Sequence, residues 1–272
     1  NFNDHVLSLI RKGTTGLQNI ALLRWCKEYG VDPGWSILWG FPGETAEDYA
    51  AVADLLPKIV HVKPPEVATP FRMDRFGPNF VNAEAMGFSD LQPFPAYRHC
   101  YAGLTEQACF NLAYYFTYRH RQPYDISAQT EQIKHLVSEW KAEHQRSDLF
   151  FVDKGDFLLF FDTRPNSTRV FRRIDEPLRT LYLLCDTMRS PRQLVKQAIE
   201  TDFPLTETEI RCLLQPLLDF GLMVYDKDKD LYLSLAISTT EGYSPTPEVW
   251  QRMRELAGKT GELVGDQFVI PA

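Results

Sequence analysis

Paired cysteines are missing from this sequence. Its five cysteines, Cys26, Cys100, Cys109, Cys185 and Cys212, stand far apart, with no CxxC and no CxxxCxxC. An odd number of scattered thiols excludes a disulfide scaffold, offers no ready-made zinc knuckle and suits a reducing compartment. Long apolar runs are missing too: none approaches the roughly 20 residues that span a bilayer, and no signal-peptide pattern opens the chain. A soluble, cytoplasmic protein with no membrane partner is expected. Positive charge is scarce, with 29 Lys and Arg against 36 Asp and Glu and a net charge of -7. That balance argues against non-specific nucleic-acid binding. The first residue is Asn1 rather than Met, and the chain starts directly on a helical pattern. A piece of a larger protein is therefore expected.

What is present is globular. Across 272 residues, 44% are hydrophobic and 24% charged, enough for two sizeable cores without staples. Thr15 and Gln18 have capping-box spacing, and Leu17, Ile20, Ala21 and Trp25 follow at helical intervals until Gly30. Trp35 to Trp39 is an apolar run of strand length that leads into Gly40-Phe41-Pro42-Gly43-Glu44-Thr45. Thr45 reads as an N-cap, with Glu47 and Asp48 in the first turn, and that helix ends near Leu56. The next stretch, Ile59 to Val67, holds Pro64 and Pro65, so its strand is expected to be short or irregular. The order predicts a βαβ unit.

The turn at Gly40 to Thr45 is the most informative local signal. Two glycines at the end of a strand let backbone groups approach a ligand, and the helix start behind them offers unpaired N–H groups. They serve equally well to make a tight strand-to-helix turn, and both readings stand at this point.

Leu38-Trp39-Gly40-Phe41-Pro42-Gly43-Glu44-Thr45, with Glu47-Asp48, resembles the GFPGET stretch of radical S-adenosylmethionine (SAM) enzymes, especially the branch with a cobalamin-binding domain. Leu7 to Gly13 looks like the helix-and-glycine stretch after that barrel's fourth strand. Pro70 to Pro78, containing Arg72, Asp74, Arg75 and Phe76, resembles an R-x-D-R-F-S-P segment of the group that matures ribosomally made peptides such as bacteriocins. Leu112 to Phe116 is similar to that group's LAYYF run. The resemblance spans most of residues 1–240. It implies the last units of a partial (β/α)6 barrel in residues 1–92, with Leu38, Gly40, Phe41, Gly43 and Glu44 beside SAM. It implies a [4Fe–4S] cluster and cobalamin in the full-length protein. The cluster-binding CxxxCxxC is absent, and iron needs thiolates, so this chain alone is expected to be inactive. Its missing amino-terminal half is then a partner.

Residues 93–147 read as a helical bridge: one helix over about Tyr97–His120 and a second over about Ala128–His144. His99, Cys100, Cys109 and His120 fit no zinc spacing. Tyr114, Tyr115, Phe116 and Tyr118 read either as the wall of a substrate channel or as cover for the barrel flank. Arg72 and Arg75 are candidate substrate contacts able to fork onto a carboxylate or phosphate; a structural pair with Asp74 or Glu66 is the competing reading.

Residues 148–237 have another rhythm. Leu149–Val152, Phe157–Phe161 and Thr168–Arg172 read as strands, followed by three helices beginning near Pro177, Pro191 and Thr206. Leu222–Tyr225 and Leu231–Leu235 read as a hairpin. The whole is α+β and winged-helix-like, so the chain combines an α/β part with an α+β part. This stretch resembles the leader-peptide recognition domains related to the small chaperone of pyrroloquinoline quinone synthesis, with Tyr182 to Asp186 in place of a helix-ending LCDG. The resemblance implies that a leader peptide adds as a strand beside Arg169, Arg172 and Arg173, facing the helix at 207–218. Charge gives a separate indication: residues 164–192 hold Arg164, Arg169, Arg172, Arg173, Arg179, Arg189 and Arg192 against Asp175, Glu176 and Asp186. The DNA reading is disfavoured because the third helix has only Arg211 against Glu207, Glu209 and Asp219. Residues 238–272 read as a packing tail with a helix near Val249–Leu256. The expected whole is the carboxyl-terminal part of a cobalamin-type radical SAM enzyme acting on a ribosomal peptide. A stand-alone peptide-binding module, or part of a relative acting on a porphyrin-like substrate, is the alternative.

Overall fold

The computed structural model describes residues 1–198, 204–240 and 242–260, the side chains of 259 and 260 excepted. The distal part of the tail, 261–272, lies outside the described residues. The fold is mixed α and β, with several small sheets and no closed barrel among the described residues.

Helix α1 (Asp4–Leu9) leads into α2 (Gly16–Glu28), whose Thr15 cap and Gln18 partner form the expected reciprocal box. Strand β1 (Ser36–Trp39), helix α3 (Ala46–Leu55) and strand β2 (Val67–Pro70) form the βαβ unit, with β1 and β2 parallel and Leu38 opposite Thr69. The second strand lies later than its apolar run suggested. Ile59 to Val62 are buried as a turn, because Pro64 and Pro65 interrupt any ladder there.

The bridge departs from expectation. Strand β3 (Met73–Asp74), short helix α4 (Pro78–Val81), strand β4 (Phe88–Pro93), helices α5 (Ala96–Cys100) and α6 (Glu106–Leu112), and strand β5 (Tyr115–His120) make an antiparallel sheet in the order β3–β5–β4. The single helix expected over Tyr97–His120 is thus two short helices and a strand. Thr105 starts α6 as its own N-cap, and the aromatic and β-branched run from Tyr115 to Tyr118 suits a pleated surface better than a helix. The second expected helix is present as α7 (Ser127–Glu143).

Beyond it come β6 (Leu149–Asp153), β7 (Phe157–Asp162) and β8 (Phe171–Asp175). Helices α8 (Leu178–Leu184), α9 (Pro191–Ala198) and α10 (Glu207–Asp219) follow, then the hairpin β9 (Met223–Asp226) and β10 (Leu231–Ser234). Strand β8 lies three residues beyond the expected Thr168–Arg172 because the antiparallel register sets Phe171 opposite Phe161 and Ile174 opposite Leu158. Strand β11 (Ile237–Ser238), which the sequence did not announce, pairs parallel with β6 and completes the order β11–β6–β7–β8. Helix α11 (Pro247–Thr260) packs Val249 and Met253 against Phe150, Leu159 and Phe161 on that sheet.

One core runs without a break from Phe2 to Ala236. Buried polar links stitch the seam between its two parts. Arg24 donates to the carbonyls of Ser234 (3.2 Å) and Asp186 (2.6 Å). Arg164 grips Asp162 with two bonds and donates to the carbonyls of Lys58 and Gly221. His61, wholly buried, donates from Nε2 to Leu235 O at 2.9 Å.

Candidate functional site

Chain direction reverses where β1 meets α3. Gly40 and Gly43 have φ of 96° and 95°, a region L side chains rarely adopt. A Cβ on Gly40 would also lie 3.1 Å from the Tyr118 hydroxyl. Thr45 then starts α3, its N–H donating to Asp48 Oδ2 at 2.8 Å.

Glu44 is the hub of this turn. It is buried, and its carboxylate accepts from the Gly40 N–H (2.8 Å), the Tyr49 hydroxyl (2.7 Å) and the Tyr124 hydroxyl (3.2 Å). Burial pushes its pKa above the ordinary carboxylate value, and those hydrogen bonds oppose the rise. The same burial, with the Glu44 charge alongside, pushes the Tyr49 and Tyr124 phenols upward. From the other side, His120 Nε2 donates to Gly40 O (2.9 Å) and Tyr124 donates to Phe41 O (3.1 Å). Phe41 stacks on Phe71 at 4.6 Å, and Phe71 stacks on Tyr118 at 4.9 Å. Gly40, Phe41, Gly43 and Glu44 thus share one turn. The Gly40 amide and the Gly40 and Phe41 carbonyls are engaged by the chain itself. Leu38 differs: it is half-buried on the β1 face opposite Ile37 and Trp39, with its carbonyl accepting from the Asn1 amide at 3.1 Å.

The two bridge arginines serve different ends. Arg72 is exposed, makes a bidentate pair with Asp74 (2.7 and 3.0 Å) and lies over the Tyr115 ring at 4.1 Å. Arg75 is half-buried among Phe80, Phe110 and Phe116 and donates to the carbonyls of Ala113 and Phe110. Arg75 thus ties α6 to β3.

The remaining arginines lie on or beside β8, the end strand of its sheet, which has no second strand neighbour among the described residues. Arg169 is exposed. Arg172 lies 3.5 Å from the Phe220 ring at the end of α10, and Arg173 lies 3.9 Å from the Phe157 ring and pairs with Asp175. Strand β8 and the last residues of α10 are thus neighbours. The basic patch is smaller than its sequence count, because Arg164 is buried on Asp162 and Arg179 holds Asp153 and Glu176. On α10, Arg211 is clasped by Asp230 at 2.8 and 2.6 Å.

The sequence reading missed Tyr49 and Tyr124, placed Tyr118 only on a channel wall or barrel flank, and considered His120 only as a metal candidate. Tyr49, in the middle of α3, looks like an ordinary core residue until Glu44 is placed. The other three come from 74 or more positions away, and no local pattern predicts that contact.

Among the described residues, no group of three or more His, Cys, Asp or Glu could hold a metal ion. All five cysteines are unpaired, and burial pushes Cys26 upward and Cys185 to about 12, the behaviour of packing thiols rather than ligands. The residues present therefore do not fit an iron–sulfur cluster. Compared with protein-family models, curated proteins and solved structures, the chain matches none.

Proposed function

We propose that this chain is the carboxyl-terminal portion of a cobalamin-type radical SAM enzyme that modifies a ribosomally made peptide, with C-methylation as its reaction. On this reading β1, α3 and β2 are the last units of a partial (β/α)6 barrel, and residues 148–237 are a winged-helix-like receiver for the leader peptide. The observation that carries the reading is the state of the β1–β2 pair. Helix α7 lies against β2 with Lys134 over the Trp39 ring, α3 packs on α7, and Ile37 and Trp39 are buried in the same core. The opposite side carries Leu38, Thr69 and Val67, the last 47% exposed. Parallel strands normally lie inside larger sheets covered on both faces, and two strands alone are marginal. Further strands supplied by an amino-terminal half would complete that sheet and bring the cluster and cobalamin sites with them. At the other end, the edge of β8 with Arg169, Arg172 and Arg173 suits an acidic peptide that adds as a strand.

A second reading has its own support. The turn's saturated backbone groups and the lack of a thiolate triad favour a peptide-binding module without catalysis. The sequence encoded before Asn1 separates the two: a CxxxCxxC and a cobalamin-binding region support the enzyme, and an initiator Met directly before Asn1 sinks it. Titrating a labelled acidic peptide from a neighbouring precursor against the whole chain tests the shared receiver. Binding that survives Arg172→Glu with Arg173→Glu unchanged counts against β8.

A further inference from the structure

A cleft of about 440 Å³ opens where the loop after α2, the turn ending α7 and the start of α11 meet, and none of its lining residues belongs to the Gly40 turn. Two opposite charges are fixed in its wall. Asp148 is fully buried, and its carboxylate accepts from Lys27 Nζ (2.6 Å), the Tyr243 hydroxyl (2.5 Å) and the Leu149 N–H (2.8 Å). Lys27 also donates to His61 O at 2.7 Å and stands 5.5 Å from the centre of the Tyr243 ring, so two of its three ammonium protons are used in hydrogen bonds to Asp148 and His61. Beside them Ser147 lines the cleft, 1% exposed, and its hydroxyl has no partner. His144 donates from Nδ1 to Val60 O at 3.2 Å, so its Nε2 remains an acceptor. Burial holds the His144 ring below its ordinary pKa, with the Val60 bond opposing.

The acidic groups of the wall are already committed. Asp148 is saturated by the three donors above. Asp32 pairs with Lys63 at the rim, and Glu248 is held at the start of α11 by its own N–H and Thr246. Asp32, Asp148 and Glu248 against Lys27 and Lys63 leave one negative charge in excess around the cleft, while Lys27 and Ser147 retain donors. Val31, Val249 and the Tyr243 ring supply an apolar side.

We infer that this cleft is a binding site for a small, singly charged carboxylate with an apolar body, its oxygens received by Lys27, Ser147 and Lys63. Lys27, Ser147 and Lys63 line the same cleft and can donate to a flat monoanion, whereas a phosphate dianion would meet Glu248 and Asp32 with twice the charge. The volume suits a small ligand. The carboxylate belongs either to a free acid or to a peptide carboxyl terminus.

The test follows the His144 ring signals by NMR in the whole chain while isovalerate, isovaleramide, inorganic phosphate, and one apolar tripeptide in free-acid and amidated forms are titrated separately. A saturable millimolar shift with isovalerate, absent with isovaleramide, is expected. A tighter response to the free-acid tripeptide than to isovalerate assigns the site to a peptide terminus, and the reverse assigns it to a free acid. Ser147→Ala and Lys63→Met should each weaken the isovalerate response, Ser147→Ala by about tenfold. Lys63 pairs only at the surface, so Lys63→Met leaves the fold intact. The inference is overturned if no carboxylate gives a saturable shift, if isovaleramide matches isovalerate, if phosphate binds more tightly, or if both variants bind as the parent does.

Discussion

Acid should loosen this protein at its seam before it touches the surface. His61 is wholly buried, its Nε2–H on Leu235 O and its Nδ1 without a partner. Burial, with Arg164 and Lys27 nearby, holds its pKa well below 6.5. The unfolded chain takes up a proton on this ring near pH 6.5, and the folded chain does not. Stability is therefore fully present above that pH and falls below it, by about 1.4 kcal/mol per pH unit for as long as the folded ring stays neutral. His144 is also held below its ordinary value and adds a loss of the same sign. Glu44 works the other way, since burial raises its pKa and protonation then favours the folded state. A variant isolates the His61 contribution. His61→Gln keeps an N–H for Leu235 O and cannot titrate, so urea unfolding of parent and variant at half-unit steps from pH 7.5 to 5 should give slopes differing by about 1.4 kcal/mol per unit below pH 6.5. Equal slopes would refute the reasoning.

Other perturbations have equally definite outcomes. Gly40→Ala should cost about 1–3 kcal/mol in urea unfolding, since it combines a φ of 96° with a methyl group 3.1 Å from the Tyr118 hydroxyl. Gly30→Ala, at φ 69° with no atom within 4 Å of the added methyl, should cost clearly less; equal losses would mean that Tyr118 moves aside freely. Tyr124→Phe removes the single hydroxyl proton shared between Glu44 and Phe41 O and should lower stability by about 0.5–1.5 kcal/mol. Arg24→Met leaves the Ser234 and Asp186 carbonyls without their donor, and a loss of about 2–4 kcal/mol is expected from the melting curve.

Local features of the fold were legible because they depend on neighbours in sequence. The Thr15 and Thr45 helix starts, the βαβ order, the Thr206 cap with Glu209 and the 223–234 hairpin all follow from spacing within a few residues. The stretch at 97–120 was not legible, because its apolar residues fit a helical stripe while partners 23 or more positions upstream, at Gln92 and Pro93, hold Thr117 and Phe116 in a sheet. Strand β11 is only two residues long, too short for any alternation to show. In the candidate site the glycines and Glu44 announced a special turn. What fills its hydrogen-bonding capacity comes from His120 and Tyr124, and a long-range pairing of this kind leaves no periodic trace.

The unbroken core has a practical meaning for anyone who cuts this chain. Severing it near Ser147 would strand Arg24, Lys27 and His61 on one fragment and Ser234, Asp148 and Leu235 on the other. Each fragment would carry half of a buried polar lattice facing water. The two pieces should therefore behave as a complementing pair, soluble and folded when co-expressed and poorly folded apart. Thermal unfolding of the intact chain should then pass through one cooperative transition.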